Sequence, residues 1–379
     1  MKLPLFKIHW DDDDLHAVNR VIEEGGRWCI GPDVVTFEQR LCQDIGINNC
    51  ITYNSGGSAL HALMIAHGIG PSDEVIVPSF TFIATAMAPL YVGARPVFAD
   101  IEEMSLGLDP DDVLNKITPR TRALMPIHFG GFPCLVNDLR EIAEDAGLIF
   151  IEDAAEAYGA EVNGRRVGTL SDSAIFSFCQ NKIFTTGEGG CAVTNDDNVA
   201  RKLRLVQSYG RQMDGDYFST SEGIDYVDVG YNWRMSSMAA ALGLSQLKRV
   251  DELIKRRRDN ASYLDSKLSS IDGLEILRPR QEEFAVYQMY TIRVVEGKEV
   301  RDALSSYLKK RGITTKIYFD PVHNYSVFRN LGLSDTILPT TQKISSQVLT
   351  LPFYPNMSEG EMNVLVGAIE DFFEGENNE

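Results

Sequence analysis

The stretch FSFCQNKIFTTGEGG, residues 176–190, places a lysine between an apolar strand and a glycine-rich exit. Glycines allow a close approach, so Lys182 is expected in a packed site and not on open surface. Upstream, Asp153 lies two positions after the end of another apolar run. A lysine at the edge of an α/β sheet, preceded in the chain by a carboxylate, points to imine chemistry.

Over residues 54–196, segments whose hydrophobic residues recur with the period of a helix alternate with segments that have the pattern of a strand. This alternation is typical of crossover units that build a largely parallel sheet. The apolar run 148–151 predicts a strand buried on both faces. Ligands of such sheets gather at the carboxyl ends of the strands, where Glu152 and Asp153 fall. The sequence therefore predicts an α/β fold with a ligand site at this edge.

The last third of the chain predicts a smaller α+β domain. A helix with basic residues 255–258 is followed by strands near 285–295 and a helix at 301–310. The basic run is interpreted as a solvated helix face in preference to a nucleotide clamp. Ser358 and Glu361 form a capping box for a final helix. We therefore predict a large domain over 1–250 and a small C-terminal domain over 251–379.

Charge and cysteine content exclude several classes of protein. Lys and Arg number 36 against 54 Asp and Glu, a net charge of -18, so the average field repels nucleic acid and anionic lipid. We predict no nucleic-acid or membrane partner. The 6 cysteines form no CxxC pair and no dense framework, which favours reduced thiols in the cytoplasm and no zinc or iron–sulfur site.

Three other segments receive structural interpretations. The N-terminus lacks the long apolar region of a secretory signal. Residues 75–94 are uncharged, but Pro78, Pro89 and Gly93 interrupt them, so they predict strand, short helix and strand instead of a membrane span. The run Asp11–Asp14 predicts the acidic first turn of a helix and not a metal site.

Ser55-Gly56-Gly57-Ser58 precedes an amphipathic helix and has two interpretations. Its amides can hold a phosphate at the helix N-terminus, or Ser58 can cap the helix after a glycine turn. The pattern is neither GxGxxG nor a P-loop, which counts against a dinucleotide dehydrogenase and a P-loop enzyme. Asp153 is equally open, because it can cap the next segment or pair with a protonated ring nitrogen.

Taken together, a phosphate cradle, a carboxylate and a lysine in that order are what pyridoxal phosphate requires. The sequence resembles the DegT/DnrJ/EryC1/StrS sugar aminotransferases from Pro4 to Pro355. The motifs that carry this resemblance are NSGGSAL at 54–60, PSFTFIAT at 78–85, IEDAAE at 151–156, residues 176–190 and GYNWRM at 230–235.

The resemblance implies a pyridoxal-phosphate enzyme of the aspartate aminotransferase fold (fold type I) that works as a homodimer with composite active sites. Lys182 would bind the cofactor as an imine, and Asp153 would keep its ring nitrogen protonated. The resemblance also implies that Phe82 stacks on the ring. Ser177 and the amides of Gly57 and Ser58 would hold the phosphate. Asn232 would reach the phosphate from the neighbouring subunit.

Two positions depart from the family pattern. Gly57 stands where threonine is usual, and Glu156 stands where glutamine or histidine commonly faces the cofactor's phenolic oxygen. A carboxylate beside a phenolate is repulsive, so we expect either a shared proton or a Glu156 that points elsewhere.

The reaction that the resemblance implies takes an amine from L-glutamate, leaving 2-oxoglutarate, and gives it to a nucleotide-linked keto sugar, with Lys182 moving the proton. Two segments are candidate walls for the substrate: Ser208–Val229, with Arg211, Tyr217 and Tyr226, and Lys316–His323. The candidate substrate residues are Glu188, Tyr318 and His323. Packed or solvated roles for such loop residues remain open.

Residues 181–190 look most like the perosamine-synthase type, which aminates C4 of a 4-keto-6-deoxyhexose on GDP. A 3-keto sugar, a UDP- or dTDP-linked sugar and a keto-inositol are alternatives. A sugar dehydratase is a rival, but such relatives typically replace the lysine with histidine, and Lys182 is present. A non-catalytic regulator is disfavoured by intact Lys182 and Asp153, and the negative charge disfavours DNA contact.

Overall fold

The computed structural model of the chain describes residues 2–212 and 224–376. The helices are α1 Asp12–Glu24, α2 Pro32–Ile45, α3 Gly56–Ala66, α4 Ile83–Tyr91, α5 Pro110–Lys116, α6 Val136–Ala146, α7 Asp197–Gln207, α8 Ser237–Leu247, α9 Val250–Leu268, α10 Lys298–Lys310, α11 Ser326–Asn330, α12 Pro339–Gln347 and α13 Glu359–Glu376. The strands are β1 Asn49–Tyr53, β2 Glu74–Pro78, β3 Arg95–Ala99, β4 Thr121–Leu124, β5 Ile149–Asp153, β6 Glu161–Val162, β7 Arg165–Arg166, β8 Ser173–Ser177, β9 Gly190–Thr194, β10 Arg211–Gln212, β11 Asp225–Tyr226, β12 Leu274–Ile276, β13 Glu283–Phe284, β14 Tyr290–Val294 and β15 Val348–Leu351.

A seven-stranded sheet forms the centre of the fold, in the order β1-β9-β8-β5-β4-β2-β3. β9 runs antiparallel to both of its neighbours, and the other pairings are parallel. Tyr53 and Ser177 both pair with Gly190, and Asp153 pairs with Ile175. The carboxyl ends of β1, β5 and β8 therefore meet at one edge.

Local sequence signals explain the helices that flank this edge. Ser55 caps α3 by accepting the Ser58 amide at 3.1 Å, so the prediction that Ser58 itself is the cap is wrong. Leu60, Leu63 and Met64 of α3 are buried in the core that covers the sheet. These contacts fix the N-terminus of α3 above the ends of β1 and β8.

A second, antiparallel sheet, β12-β14-β15, lies in the C-terminal part of the chain. Its core includes Ile292 and Leu349, and it extends without a break to Phe80 and Phe129 of the N-terminal part. The start of α9 coincides with the predicted boundary at residue 250. Because one apolar core joins both parts, the division into 1–250 and 251–379 stays a prediction.

Several local predictions are confirmed. Asp11 and Asp14 form a capping box at the start of α1, and Ser358 and Glu361 form another before α13. Residues 75–94 contain the predicted strand and helix, whereas the second predicted strand begins only at Arg95, just after this range. Among the helices of the described chain, none is both long and apolar enough to cross a membrane.

Candidate active site

A cavity of about 600 Å³ opens at the carboxyl ends of the central strands. Its wall combines the N-terminus of α3, the start of α4, the ends of β5 and β8 and the Lys182 segment, together with Lys316, Tyr318 and Phe319. The wall residues that the sequence singled out are Gly57, Phe82, Asp153, Glu156, Ser177, Lys182, Glu188 and Tyr318. The fold thus brings together motifs that lie far apart in the chain.

Lys182 and Glu156 form an ion pair inside this cavity. The Lys182 Nζ lies 3.3 Å from Glu156 Oε1, and the two side chains are only 13% and 14% exposed. The backbone amide of Gly130 donates to the other carboxylate oxygen, Oε2, at 3.0 Å. Glu156 therefore points at the lysine nitrogen, and its orientation is fixed from the opposite side.

Asp153 is buried at the end of β5, with two hydrogen bonds to its carboxylate. The Thr85 hydroxyl donates to Oδ2 at 2.7 Å, and the Ala155 amide donates to Oδ1 at 3.2 Å. Burial raises the pKa of Asp153 above its ordinary value, and both hydrogen bonds partly oppose that rise, as does the charge of Lys182. A cationic partner in the cavity would complete its charge balance.

The N-terminus of α3 faces Ser177 at the end of β8. A Cβ built on Gly56 would lie 3.1 Å from the Ser177 Cβ, whereas one on Gly57 would meet nothing nearer than the Ser55 Oγ at 3.9 Å. A side chain at position 56 would therefore crowd Ser177, while the missing side chain of Gly57 leaves open space. The Ser58 hydroxyl donates to the Asn54 side chain at 2.7 Å, and its amide is held by Ser55.

The rim of the cavity carries Phe82, Glu188 and Tyr318. The Phe82 side chain is 61% exposed at the start of α4, which leaves its ring free to contact a bound molecule. Glu188 accepts a weak hydrogen bond from the Cys179 thiol at 3.7 Å. Tyr318 packs against Phe319, with ring centroids 5.1 Å apart.

Several predicted residues lie outside this cavity wall, and Ser58 is one of them. His323 is 2% exposed, its Nδ1 shares a hydrogen bond of 2.6 Å with Ser79, and it lies outside the wall, so its contact with substrate stays a prediction. Asn232 is exposed, forms a bridge with Ser208 and lies outside the wall. Arg211 and Tyr226 pair across the β10–β11 ribbon, also away from the wall, and Tyr217 lies outside the described residues.

Sequence reasoning missed Thr85 and the network beneath the cavity. Thr81 and Thr85 share a hydrogen bond of 2.7 Å, and no local pattern of the sequence pairs Thr85 with Asp153, which lies 68 positions away. His128 Nε2 donates to Glu152 at 3.1 Å, while its Nδ1 accepts the Cys134 amide at 3.1 Å. Glu152 thus belongs to the packing below the site and not to the cavity wall.

The chain matches the DegT/DnrJ/EryC1/StrS aminotransferase family over residues 9–370. A GDP-perosamine synthase from Caulobacter vibrioides is 37% identical over 344 residues, which cover 90% of this chain and 90% of that protein.

Solved structures agree with this match. DesV from S. venezuelae, in complex with a ketimine intermediate, superposes with a TM-score of 0.91 at 33% identity, covering 98% of this chain and 99% of that one. The PLP form of Spr1654 from Streptococcus pneumoniae superposes with a TM-score of 0.93 at 25% identity and 99% coverage of both chains. The predicted α/β fold of the aspartate aminotransferase type is thereby confirmed.

Proposed function

The chain belongs to the DegT/DnrJ/EryC1/StrS aminotransferase family and depends on pyridoxal phosphate, and we propose that it transfers an amine from L-glutamate to a nucleotide-linked keto sugar. Similarity to a GDP-perosamine synthase favours a 4-keto-6-deoxyhexose on GDP as the acceptor. The observation that carries the proposal is the Lys182 Nζ, held by Glu156 in a cavity that also contains the buried carboxylate of Asp153.

The residues present fit pyridoxal phosphate. Asp153 is a buried carboxylate that accepts hydrogen bonds but has no ion-pair partner among the described residues. It is therefore available to a positively charged partner, which a protonated ring nitrogen would be. The α3 N-terminus lies beside Ser177, and such a terminus attracts a phosphate. When bound, the cofactor withdraws electrons from the carbon that gains or loses the amine.

Within this proposal, each side chain has a separate task. Lys182 binds the cofactor covalently and, when released, carries a proton to and from the amine-bearing carbon. Asp153 keeps the ring nitrogen protonated, and Phe82 covers the ring face. The Gly57 amide and the Ser177 hydroxyl bind the phosphate, and the Ser58 amide joins them when it leaves its hydrogen bond to Ser55. Glu156 accepts a hydrogen bond from the protonated nitrogen of Lys182.

The alternative acceptors are a 3-keto sugar, a UDP- or dTDP-linked sugar and a keto-inositol, because the same cofactor residues serve all of them. Glu188 and Tyr318 on the rim are the proposed substrate contacts. Retention of Lys182 disfavours a dehydratase. Retention of Lys182 and Asp153 in one cavity disfavours a regulator without catalysis.

We further propose a homodimer in which Asn232 reaches the phosphate of the neighbouring site. Its exposed position outside the wall of its own cavity supports this assignment. Trp10 and Trp28 are 60% and 50% exposed, and large apolar side chains left on a surface favour association. Six free thiols in the described chain support a cytoplasmic location.

One experiment tests the covalent link. The protein is incubated with pyridoxal phosphate, reduced with borohydride and digested, and the modified peptide is identified by mass spectrometry. We expect a single adduct on Lys182 and none in Lys182→Ala. An adduct on another lysine would overturn the assignment. A panel of keto-sugar nucleotides with L-glutamate, followed by release of 2-oxoglutarate, then identifies the acceptor.

The dimer is tested by complementation. Lys182→Ala and Asn232→Ala are each expected to be inactive alone, whereas mixed dimers contain one site that carries neither substitution. Restored activity after co-expression supports composite sites. If the mixture stays inactive while mixed dimers are present, Asn232 acts within its own subunit.

A further inference from the structure

The positive charges of the cavity wall are few, and most are already engaged. Among the described wall residues, only Lys182, His128 and Lys316 can carry a positive charge. Lys182 pairs with Glu156, and both ring nitrogens of His128 have hydrogen-bond partners. Lys316 is exposed, and no carboxylate of the described chain lies within ion-pair distance of its Nζ.

The backbone fixes Lys316 at the mouth of the cavity. Its amide donates to the Thr350 carbonyl at 3.0 Å, and its carbonyl accepts the Thr350 amide at 2.8 Å, which joins it to β15. The Nζ lies 4.8 Å from the centroid of the Tyr318 ring, so a cation–π contact holds the ammonium beside a proposed substrate residue. The charge is therefore presented from a rigid support.

The internal stretch outside the described residues carries no cationic side chain of its own. Residues 213–223 contain no lysine, arginine or histidine. The chain carries a net charge of -18, and the wall itself adds Asp153, Glu156 and Glu188. An anionic ligand entering this field therefore needs a local positive charge.

We propose that Lys316 is the oxyanion-recognition residue of this site and binds the negatively charged group of an incoming substrate. This inference rests on the proposed function, whose two substrates are both anionic: a carboxylate in L-glutamate and a diphosphate in the sugar nucleotide. Since the two substrates use the cavity in turn, one ammonium can serve either group. Lysine suits this task because its three donors rotate freely around a point charge.

The test uses the holoenzyme of Lys316→Gln, which keeps the side-chain length but not the charge, and of Lys316→Arg, which keeps the charge. Lys310→Gln removes the same charge from the exposed end of α10, away from the cavity wall, and serves as the matched control. Two probes separate the sources of the anion. L-glutamate is titrated without acceptor while the absorbance of the cofactor is followed, and inorganic pyrophosphate binding is measured by calorimetry.

We expect Lys316→Gln to lower the affinity for at least one probe by about tenfold, because one charge-assisted hydrogen bond is lost. Lys316→Arg should retain most of the affinity. Weakening of glutamate alone assigns the carboxylate, and weakening of pyrophosphate alone assigns the diphosphate. If Lys316→Gln binds both probes as Lys310→Gln does, or if the wild type binds neither probe, the inference is wrong. If the wild type binds pyrophosphate but its cofactor absorbance does not change with L-glutamate, the proposed function is contradicted while the inference about Lys316 stands.

Discussion

The Thr85 hydroxyl donates a hydrogen bond of 2.7 Å to the Asp153 carboxylate, and both side chains are buried. Thr85 in turn shares a hydrogen bond of 2.7 Å with Thr81. Burial alone raises the pKa of Asp153, and Thr85 opposes that rise. This hydroxyl pair therefore helps to keep a buried acid ionised for a cationic partner.

Thr85→Val is expected to raise the pKa of Asp153 further and to weaken pyridoxal phosphate binding by about tenfold, because a protonated acid cannot stabilise the protonated ring. Thr85→Ser keeps the hydroxyl and should bind like the wild type. Fluorescence titration of the apoenzyme measures both affinities. The defect of Thr85→Val should shrink as pH rises and Asp153 ionises again; a defect independent of pH would instead indicate lost packing.

Glu152 and Asp153 are neighbours in the chain with different predicted roles. Glu152 accepts hydrogen bonds from the Gly168 and Leu170 amides, the Ser171 hydroxyl and His128. Glu152→Ala leaves these buried donors without a partner, so we expect the free energy of unfolding to fall by about 3 kcal/mol or more. Asp153→Asn should remain folded but lose cofactor affinity. Equal stability of Glu152→Ala and wild type in denaturant titrations would contradict the structural role.

Glu156→Gln removes a negative charge 3.3 Å from the Lys182 nitrogen while keeping an oxygen for the Gly130 amide. The carboxylate favours a protonated nitrogen, so its loss should move the midpoint of the cofactor's pH-dependent absorbance to lower pH, by about one unit. Glu188→Gln on the rim is the control and should titrate like the wild type. An unchanged midpoint in Glu156→Gln would show that this carboxylate shares no proton with the cofactor site.

Glu361 offers a test of stability against pH at the C-terminal helix. Burial favours its protonated form, but hydrogen bonds from Lys7, Ser358 and Tyr354 outweigh this and lower the pKa from 4.5 to about 2. The stabilisation is therefore present above pH 4.5 and is lost as pH falls toward 2. We expect the difference in Tm between wild type and Glu361→Gln to be largest near neutral pH and to narrow on acidification.

Glu359→Gln, an exposed substitution in the first turn of the same helix, is the control for Glu361→Gln. It should show little pH-dependent difference from the wild type. A Tm difference for Glu361→Gln that stays constant through this range would mean that Glu361 acts by packing and not by charge.

Sequence reasoning identified the residues of the cavity that come with short local patterns. Lys182, Asp153 and the α3 N-terminus each follow a strand whose apolar run is readable in the chain, and the parallel sheet then brings them together. Thr85 was missed because its role depends on a contact with Asp153 across the fold. The burial of His323 cannot be predicted from local sequence, because it depends on the pairing with Ser79, which is 244 positions away.

The bridge between Lys316 and Thr350 ties the mouth of the cavity to the C-terminal sheet, whereas Asp153 and Ser177 stand on the central one and Lys182 lies in the loop that joins β8 to β9. Selection can therefore remodel the segment around Lys316 to accept a new sugar nucleotide while the chemistry on the central strands stays untouched. Grafting residues 316–319 between relatives is the corresponding route for an engineer who wishes to redirect this scaffold.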